Sequence, residues 1–275
     1  MKLTKFLKIL HLLSFDVVLG AIVCNVMFWK LNKTPLEHSF TVVVILGFSV
    51  WIIYVLDRLL DNNKTDFVPT ERHIFHQQNA KILWYFIGIF VLFCAVLIFY
   101  LPNNIIIFGI VISLLIGIYL LIISKISSKN NLQRFKEPVT AFVYVSAIFG
   151  TTVLHNLQTS SLLIGFIFLL IVFQNLLLFS LLEFKKNANA CNLAEYFGIN
   201  KSNLIIIVIT LTITILGFYS IYSSVSNYDN KVVFVEIIMS FILLIINRFD
   251  RFFLTNDRYR WVGDGIFLLP LSIIL

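Results

Sequence analysis

Long apolar runs and short polar segments alternate along the whole chain. A run of about 20 apolar residues is long enough for an α-helix to cross the hydrocarbon core of a bilayer. The runs that qualify are Leu10–Phe28, Phe40–Leu60, Ile82–Leu101, Ile105–Ile123, Val139–Leu154, Leu162–Leu182, Leu204–Tyr222, Val232–Ile246 and the shorter Val262–Leu275. The pattern therefore predicts an all-α integral membrane protein with nine transmembrane helices, forming one polytopic membrane domain over residues 1–275.

The basic residues are distributed very unevenly between the polar segments. Of the 21 Lys and Arg residues, 18 precede the first run or follow the second, fourth, sixth or eighth run. Only Lys30, Lys33 and Lys231 fall on the other side. Because basic residues are retained on the cytoplasmic side of a membrane, the N-terminus is expected in the cytoplasm and the C-terminus outside, in a bacterial inner membrane or a plasma membrane.

Composition supports the membrane assignment and limits the possible partners. The chain is 59% hydrophobic and only 13% charged, whereas soluble domains are about 25% charged. The net charge of +7 therefore reflects topology, and no nucleic-acid partner is expected. The three cysteines show no spacing typical of a metal site or a disulfide framework.

The cytoplasmic segment after the second run contains the candidate chemistry. Asp57 and Asp61 are four residues apart, so they share one face of a continuing helix and can hold a hard divalent cation. The loop that follows mixes acidic and basic residues, which fits an ordered site for a metal ion and an anion. A solvated helix end is the alternative for this segment taken alone.

In the position and order of these segments the chain resembles the UbiA superfamily of intramembrane prenyltransferases. Asp57-Arg58-Leu-Leu-Asp61 is similar to the later part of the family's first Asp-rich motif, N-D-x-x-D-x-x-x-D. Thr70-Glu71-Arg72 stands where that family has an Arg-containing segment. Ile53 and Tyr54 replace the opening Asn and Asp of the motif, which removes one expected ligand.

The family's second motif, D-x-x-x-D, resembles the segment after the sixth run. Glu183 and Asn187 stand at its two acidic positions, and Ala194 and Phe197-Gly198 follow at the expected places. Between the two motifs, Arg134-Phe-Lys136-Glu137-Pro138 resembles the family's basic segment before the fifth helix. The chain is therefore identified as a divergent member with degenerate motifs.

The resemblance implies a helical bundle around a central cavity that is open to the cytoplasmic side. It also implies Mg²⁺-dependent transfer of a prenyl group from a polyprenyl diphosphate to a lipophilic or aromatic acceptor at the cytoplasmic face. The implied catalytic residues are Asp57, Asp61 and Glu183. The implied Mg²⁺ ligands are Asp57, Asp61, Glu183 and Asn187. The implied diphosphate-binding residues are Arg58, Lys64, Arg72, Arg134 and Lys136.

Some ionisable residues outside these motifs are further candidates. Asp66 and Asp264 are accessory candidates, and for Asp264 an ion pair with Arg258 or Arg260 is the alternative. Ionisable residues inside membrane spans are functional candidates by default because burying them in lipid is costly.

Simple structural roles are predicted for four others. Asp16 is expected in a hydrogen-bond network with His11. Glu236, near the outer end of the eighth run, is expected to face water. His73 and His76 are predicted to be surface residues of a lid loop rather than metal ligands.

Three other readings compete with prenyl transfer. The D-G-x-x-A-R signature of CDP-alcohol phosphotransferases is absent from the chain. A transporter would show broken helices at paired positions, whereas most runs here lack interruption by Gly or Pro. A catalytically silent UbiA-like protein that binds an isoprenoid or has a structural role is the third reading, and the degenerate motifs keep it open.

Overall fold

The structure, a computed structural model, describes residues 8–33, 39–61, 71–125, 135–154, 159–187, 192–224 and 226–275. These residues form helices and no strand, as the sequence predicts. The α-helices in chain order are α1 (Phe15–Leu31), α2 (Ser39–Asp61), α3 (Glu71–Gln78), α4 (Ala80–Leu97), α5 (Asn103–Lys125), α6 (Lys136–Val153), α7 (Thr159–Lys186), α8 (Leu193–Phe197), α9 (Ile199–Ser223), α10 (Asn227–Arg248), α11 (Asp250–Leu254), α12 (Arg258–Gly265) and α13 (Leu271–Ile274).

Five helices, α2, α4, α5, α7 and α9, are long and apolar enough to cross a membrane. A sixth crossing is formed if α10 and the segment Asp250–Ile274, which are bent by 89° relative to each other, count as one span. Each predicted apolar run overlaps a helix or, at the end of the chain, α12 and α13. The first run, Leu10–Phe28, is not one continuous helix, because a turn at residues 13–14, with a φ of 58° at Ser14, precedes α1. The multi-pass membrane architecture is therefore supported, while nine crossings and their orientation stay predictions.

The described chain divides into two compact units. The first contains the residues up to Ile22 and helices α2 to α5. In it, α2 packs on α4 through aromatic rings, with centroid distances of 4.6 Å for Phe48 and Phe90 and 4.9 Å for Trp51 and Phe90. Such pairs add about 0.5–1.5 kcal/mol beyond the area they bury. The single membrane domain stays a prediction.

The second unit contains the chain from Val23 to the end of α1 and helices α6 to α13. Its longest helix is α7, with 28 residues. Aromatic rings form a continuous cluster in its core, because Phe28 lies 4.9 Å from Phe149 and 5.2 Å from Phe168. Phe168 lies 6.0 Å from Phe267, which belongs to the helical turn between α12 and α13. The cluster therefore connects four segments of this unit.

A buried polar network joins α7, α9 and α10. Gln174 donates from Nε2 to Thr210 Oγ1 at 2.9 Å, and Ser240 donates from Oγ to Gln174 Oε1 at 2.7 Å. All three side chains are at most 2% exposed. Because a polar group in an apolar interior is costly unless it is hydrogen-bonded, this network fixes the register of the three helices.

Glu236 contradicts its sequence prediction. The residue is fully buried, and neither carboxylate oxygen has a hydrogen-bond partner within the described part of the chain. The expected water-facing position is wrong because α10 turns this face toward its neighbours α7 and α9. An ionised carboxylate without a hydrogen-bond partner is very costly in such surroundings.

Candidate functional site

The acidic pair predicted in the first motif lies at the C-terminal end of α2. Asp61 is the last residue of the helix and only 4% exposed, while Asp57, one turn earlier, is half-buried. The C-terminal end of a helix carries the negative end of its dipole. Two carboxylates at that position are suitable ligands for a cation.

Helix α3 brings cationic and imidazole side chains to the same end of α2. Arg58 Nη1 lies 3.0 Å from His73 Nε2. Arg72, His73 and His76 are all buried, at 6%, 2% and 0% exposure. The predicted surface position of the two histidines is therefore wrong, because α3 packs one face against α2 and α4.

Arg72, the predicted diphosphate ligand, is held by the segment that begins α1. Its Nη2 lies 2.9 Å from His11 Nε2 and 3.9 Å from Asp16 Oδ2. His11 also contacts the Asp16 carboxylate through Nδ1, which confirms the predicted pairing of these two residues. Glu71, next to Arg72, pairs with Lys8 at the surface. Arg72 is thus positioned by an acid and an imidazole that lie far from it in sequence.

His76 has a defined hydrogen-bonding arrangement. Its Nδ1 donates to the carbonyl oxygen of Arg72 at 2.7 Å. Its Nε2 is buried and has no hydrogen-bond partner in the part of the chain described above. Burial lowers the pKa of His76, and the nearby charges of Arg58 and Arg72 lower it further against the raising effect of the carbonyl. The neutral form with its proton on Nδ1 is therefore favoured.

In the second unit, the predicted ligand Glu183 forms an ion pair. Arg260 of α12 donates from Nη2 to Glu183 Oε1 and from Nε to Tyr259 OH, the latter at 3.1 Å. The guanidinium also lies 5.8 Å from the ring of Phe179. The sequence indicated Arg260 only as a partner for Asp264. Its contact with Glu183 could not be predicted because the two residues are 77 positions apart in the sequence.

Two further ion pairs connect the end of α7 to the segment after α10. Lys185 Nζ lies 2.8 Å from Asp250 Oδ2. Lys186 Nζ lies 2.8 Å from Asp257 Oδ1. These contacts explain why the segment turns sharply after α10 and returns to the same end of α7 as Glu183.

Glu137 is a half-buried acid that the sequence did not single out as a site residue. Its Oε1 accepts a hydrogen bond from the backbone N–H of Leu193 at 3.2 Å, at the start of α8. Ser180 Oγ accepts from the N–H of Ala194 at 3.0 Å beside it. Burial raises the pKa of Glu137, and the negative charge of Glu183 adds to this increase. Glu137 therefore ties the start of α6 to the second motif segment.

The predicted site residues fall into two groups. Asp57, Arg58, Asp61 and Arg72 lie in the first unit, and Lys136, Glu183, Asn187 and Asp264 lie in the second. Lys136 and Asn187 are half-buried, and Asp264 is 6% exposed. Lys64, Asp66 and Arg134 lie outside the described residues.

The ligand atoms of the predicted site residues can be compared with those that Mg²⁺, the ion implied by the sequence resemblance, prefers. Mg²⁺ prefers oxygen ligands and usually takes one or two carboxylates from the protein. Asp57 and Asp61 fit this requirement because both are carboxylates on one helix face. Glu183 fits less well because its Oε1 already binds Arg260, and Asn187 contributes only a neutral amide.

Comparison with known proteins identifies the fold. No family model and no curated protein matches the chain. Among solved structures, a UbiA homologue from Archaeoglobus fulgidus bound to GPP and Mg²⁺ is similar, with a TM-score of 0.66 and 12% identity over 96% of this chain and 98% of that one. The same homologue bound to DMAPP and Mg²⁺ gives a TM-score of 0.62 and 14% identity over equal shares.

These values establish the fold over nearly the whole length of both chains. The chain has the fold of the UbiA homologues, and this expectation from the sequence resemblance is confirmed. At this level of identity the likeness concerns the backbone arrangement, so the chemistry must be argued from the chain's own residues.

Proposed function

We propose that the chain transfers a prenyl group from a polyprenyl diphosphate to a lipophilic or aromatic acceptor at the cytoplasmic face of the membrane. One observation carries this proposal: a chain with the UbiA fold places the carboxylates of Asp57 and Asp61 together at the end of α2. The similar structures contain GPP or DMAPP with Mg²⁺, so a prenyl diphosphate and a divalent cation are the ligands that this fold accommodates.

The reaction breaks the bond between an allylic carbon and a diphosphate oxygen. The leaving diphosphate gains negative charge, and fixed positive groups that lie beside it lower the barrier. We assign this role in the first unit to Arg58 and Arg72. His73 and His11 contact these guanidinium groups and hold them in place. Lys136 has the corresponding role in the second unit, and Lys64 and Arg134 are sequence-based candidates for it.

Asp57 and Asp61 are the proposed main ligands of Mg²⁺, with Glu183 and Asn187 as further ligands. When bound, Mg²⁺ would supply Lewis-acid stabilisation of the diphosphate oxygens. Because Glu183 Oε1 accepts from Arg260, its contribution to a metal would come through its other oxygen. In this proposal Glu183 also has a second role, which is to orient the Arg260 guanidinium.

The prenyl group needs surroundings of the opposite kind. An allylic cation reacts with any water that reaches it, so an apolar site with aromatic faces favours transfer to the acceptor over hydrolysis. Phe28, Phe149, Phe168 and Phe267 form an aromatic cluster in the core of the second unit. We propose that it contributes to these dry surroundings.

The alternative is a catalytically silent protein that binds an isoprenoid. Two observations favour it: Ile53 and Tyr54 occupy the positions of the first motif's opening acids, and Arg260 neutralises Glu183. Loss of a ligand and neutralisation of another would weaken Mg²⁺ binding more than binding of the prenyl chain. Binding and turnover must therefore be measured separately.

The test uses the purified full chain with geranyl diphosphate and a panel of lipophilic aromatic acceptors, with and without Mg²⁺. We expect Mg²⁺-dependent diphosphate release, reduced by about 100-fold or more in Asp61→Asn and Asp57→Asn. Asp257→Asn is the matched control, because Asp257 pairs with Lys186 and is not one of the proposed ligands. Its φ of 52° is also a backbone conformation that Asn tolerates.

Three outcomes separate the possibilities. Release that depends on Mg²⁺ and on Asp57 and Asp61 supports prenyl transfer. Binding of a non-hydrolysable geranyl thiolodiphosphate without release from geranyl diphosphate supports the silent alternative. Absence of any binding of either compound, with or without Mg²⁺, overturns both.

A further inference from the structure

A cleft of about 720 Å³ opens at one end of the second unit. Two lysines line it from different helices: Lys30 in the last turn of α1 and Lys231, the fifth residue of α10. Tyr228 and the last residues of the chain, which include α13, complete the lining. The cleft thus combines two ammonium groups, two hydroxyl groups and an apolar wall, and its lining contains no Asp or Glu side chain among the described residues.

Local contacts fix the walls of this cleft. Lys30 Nζ donates to the carbonyl oxygen of Ile274, which holds α13 against the end of α1. Tyr228 OH donates to the carbonyl oxygen of Met27 at 3.4 Å, which joins the start of α10 to α1. The two ammonium groups are therefore presented by elements that are attached to each other.

The cleft lies far from the ion pair of Glu183 and Arg260. Lys231 and Arg248 are separated by 17 residues of α10, which corresponds to about 25 Å along a helix. Asp250, just beyond Arg248, binds Lys185 of α7, two residues after Glu183. The cleft and the Glu183 site are therefore at opposite ends of α10, and the distribution of basic residues predicts that the end with the cleft lies on the outer side of the membrane.

The positive charge of the cleft is unusual for the outer side of a membrane. Lys30 and Lys231 are two of the three basic residues that the sequence places outside the cytoplasmic side, where basic residues are disfavoured. Isolated outer lysines would extend into water or toward scattered lipid phosphates. Their convergence on one cleft beside the apolar side chains of Ile273 and Leu275 matches a ligand with an anionic head and a hydrocarbon tail.

We propose that this cleft binds the phosphate group of an anionic phospholipid in the outer leaflet. Lys30 and Lys231 contact the phosphate, Ser272 and Tyr228 border the headgroup, and one acyl chain lies along the apolar residues of α13. The site is separate from prenyl transfer, and it anchors the end of the chain against α1 and α10.

The experiment measures lipid retention by the full chain in detergent, using native mass spectrometry after incubation with dioleoyl phosphatidylglycerol or dioleoyl phosphatidylcholine. We expect preferential retention of phosphatidylglycerol, reduced about fivefold by Lys231→Ala and about 25-fold by Lys30→Ala combined with Lys231→Ala. Lys33→Asn is the control, because Lys33 is a lysine of the same predicted face that does not line the cleft. Its φ of 48° is tolerated by Asn.

The double variant loses the hydrogen bond from Lys30 to α13 and, if it does not fold for that reason, Lys231→Ala alone decides the test. An arm with inorganic phosphate in place of lipid distinguishes the two sources of a phosphate group. Equal retention of the two lipids, an equal loss in Lys33→Asn, or thermal stabilisation by inorganic phosphate that matches phosphatidylglycerol would each overturn the proposal. Retention of phosphatidylglycerol that depends on Lys231 supports it.

Discussion

Arg260 donates a hydrogen bond to the carboxylate of Glu183 and thereby joins α12 to the end of α7. The side chain of Arg260 is only 12% exposed, so the ion pair compensates for the solvation that its positive charge loses on burial. The same carboxylate was predicted from sequence to be a metal ligand. The ion pair gives Glu183 a structural role that does not require metal, and the proposed role as a metal ligand must be tested separately from it.

Glu183→Gln and Arg260→Gln test the structural role. We expect each single variant to lower the thermal unfolding temperature without Mg²⁺ and the double variant to lower it little further. This corresponds to a coupling energy of about 1–3 kcal/mol. Lys186→Gln, which breaks the more exposed pair with Asp257, should cost less than about 1 kcal/mol. Additive effects of the first two substitutions would show that the ion pair contributes nothing to stability.

The proposed role of Glu183 as a Mg²⁺ ligand is tested by the Mg²⁺ dependence of diphosphate release. If Glu183 also binds Mg²⁺, Glu183→Gln raises the Mg²⁺ concentration needed for half-maximal diphosphate release. Arg260→Gln leaves the carboxylate in place, so its Mg²⁺ requirement should stay near that of the unmodified chain. Unchanged metal dependence and unchanged turnover in Glu183→Gln would remove Glu183 from the set of ligands.

Glu137 predicts a dependence of stability on pH. Its pKa in the folded protein is raised above 4.5, mainly by burial. The neutral carboxyl is therefore favoured by folding, and this contribution to stability, complete below pH 4.5, is lost as the pH rises through the folded-state pKa. In Glu137→Gln the side chain stays neutral, so its unfolding temperature should exceed that of the unmodified chain by a margin that grows with pH.

The measurement compares unfolding temperatures of the two proteins in detergent between pH 4.5 and 8. Glu195→Gln serves as the control, because Glu195 is an exposed acid on the neighbouring α8. A margin that stays constant over this range would mean that Glu137 has no raised pKa in the folded protein.

The helical architecture was predictable because the membrane allows few alternatives. A backbone in hydrocarbon must satisfy its own hydrogen bonds, so a run such as Ile105–Ile123 forms a helix. The end of α2 at Asp61 was predictable for the same reason, since charged residues stop the apolar run. Short helices such as α3 escaped prediction because a few residues between charged loops give too little periodicity to distinguish a buried face.

The candidate site was only partly predictable. Asp57 and Asp61 could be paired from spacing alone, because residues four apart share a helix face. Contacts between distant segments could not be predicted, and one example is the contact of Arg72 with His11, which are 61 positions apart in the sequence. Glu236 was placed wrongly because the sequence gives the depth of a residue along a helix but not the neighbour it faces.

Gly217 and Gly117 should respond differently to substitution by Ala, because only Gly217 is closely packed. A Cβ atom at Gly217 would lie 2.7 Å from Ile237 Cδ1 and 3.1 Å from Val233 Cγ1 on α10, whereas one at Gly117 would meet no atom within 4 Å. Gly217→Ala should therefore destabilise by about 1–3 kcal/mol through overpacking. Gly117→Ala should be neutral or stabilising by up to about 1 kcal/mol because Ala favours helix. Equal unfolding temperatures for the two variants would contradict this packing of α9 on α10.

His76 predicts a pH dependence of opposite sign to that of Glu137. Its pKa in the folded protein is lowered from 6.5, first by burial and then by the charges of Arg58 and Arg72. Folding therefore favours the neutral imidazole, and the stability associated with it is present above pH 6.5 and lost as the pH falls through the folded-state pKa. In His76→Asn the side-chain amide can still donate to the Arg72 carbonyl but does not titrate, so this acid-induced loss should be smaller.

Two measurements check this arrangement. The unfolding temperature of His76→Asn relative to the unmodified chain should rise as the pH is lowered from 8 to 5. At pH 8 the imidazole is neutral in the folded and the unfolded state, so the difference measured there reports packing alone and can be subtracted. Long-range ¹H–¹⁵N spectra of labelled histidine should show the proton on Nδ1, because that nitrogen donates to Arg72. A proton on Nε2 at neutral pH would contradict the structure, and a relative unfolding temperature independent of pH would contradict the lowered pKa.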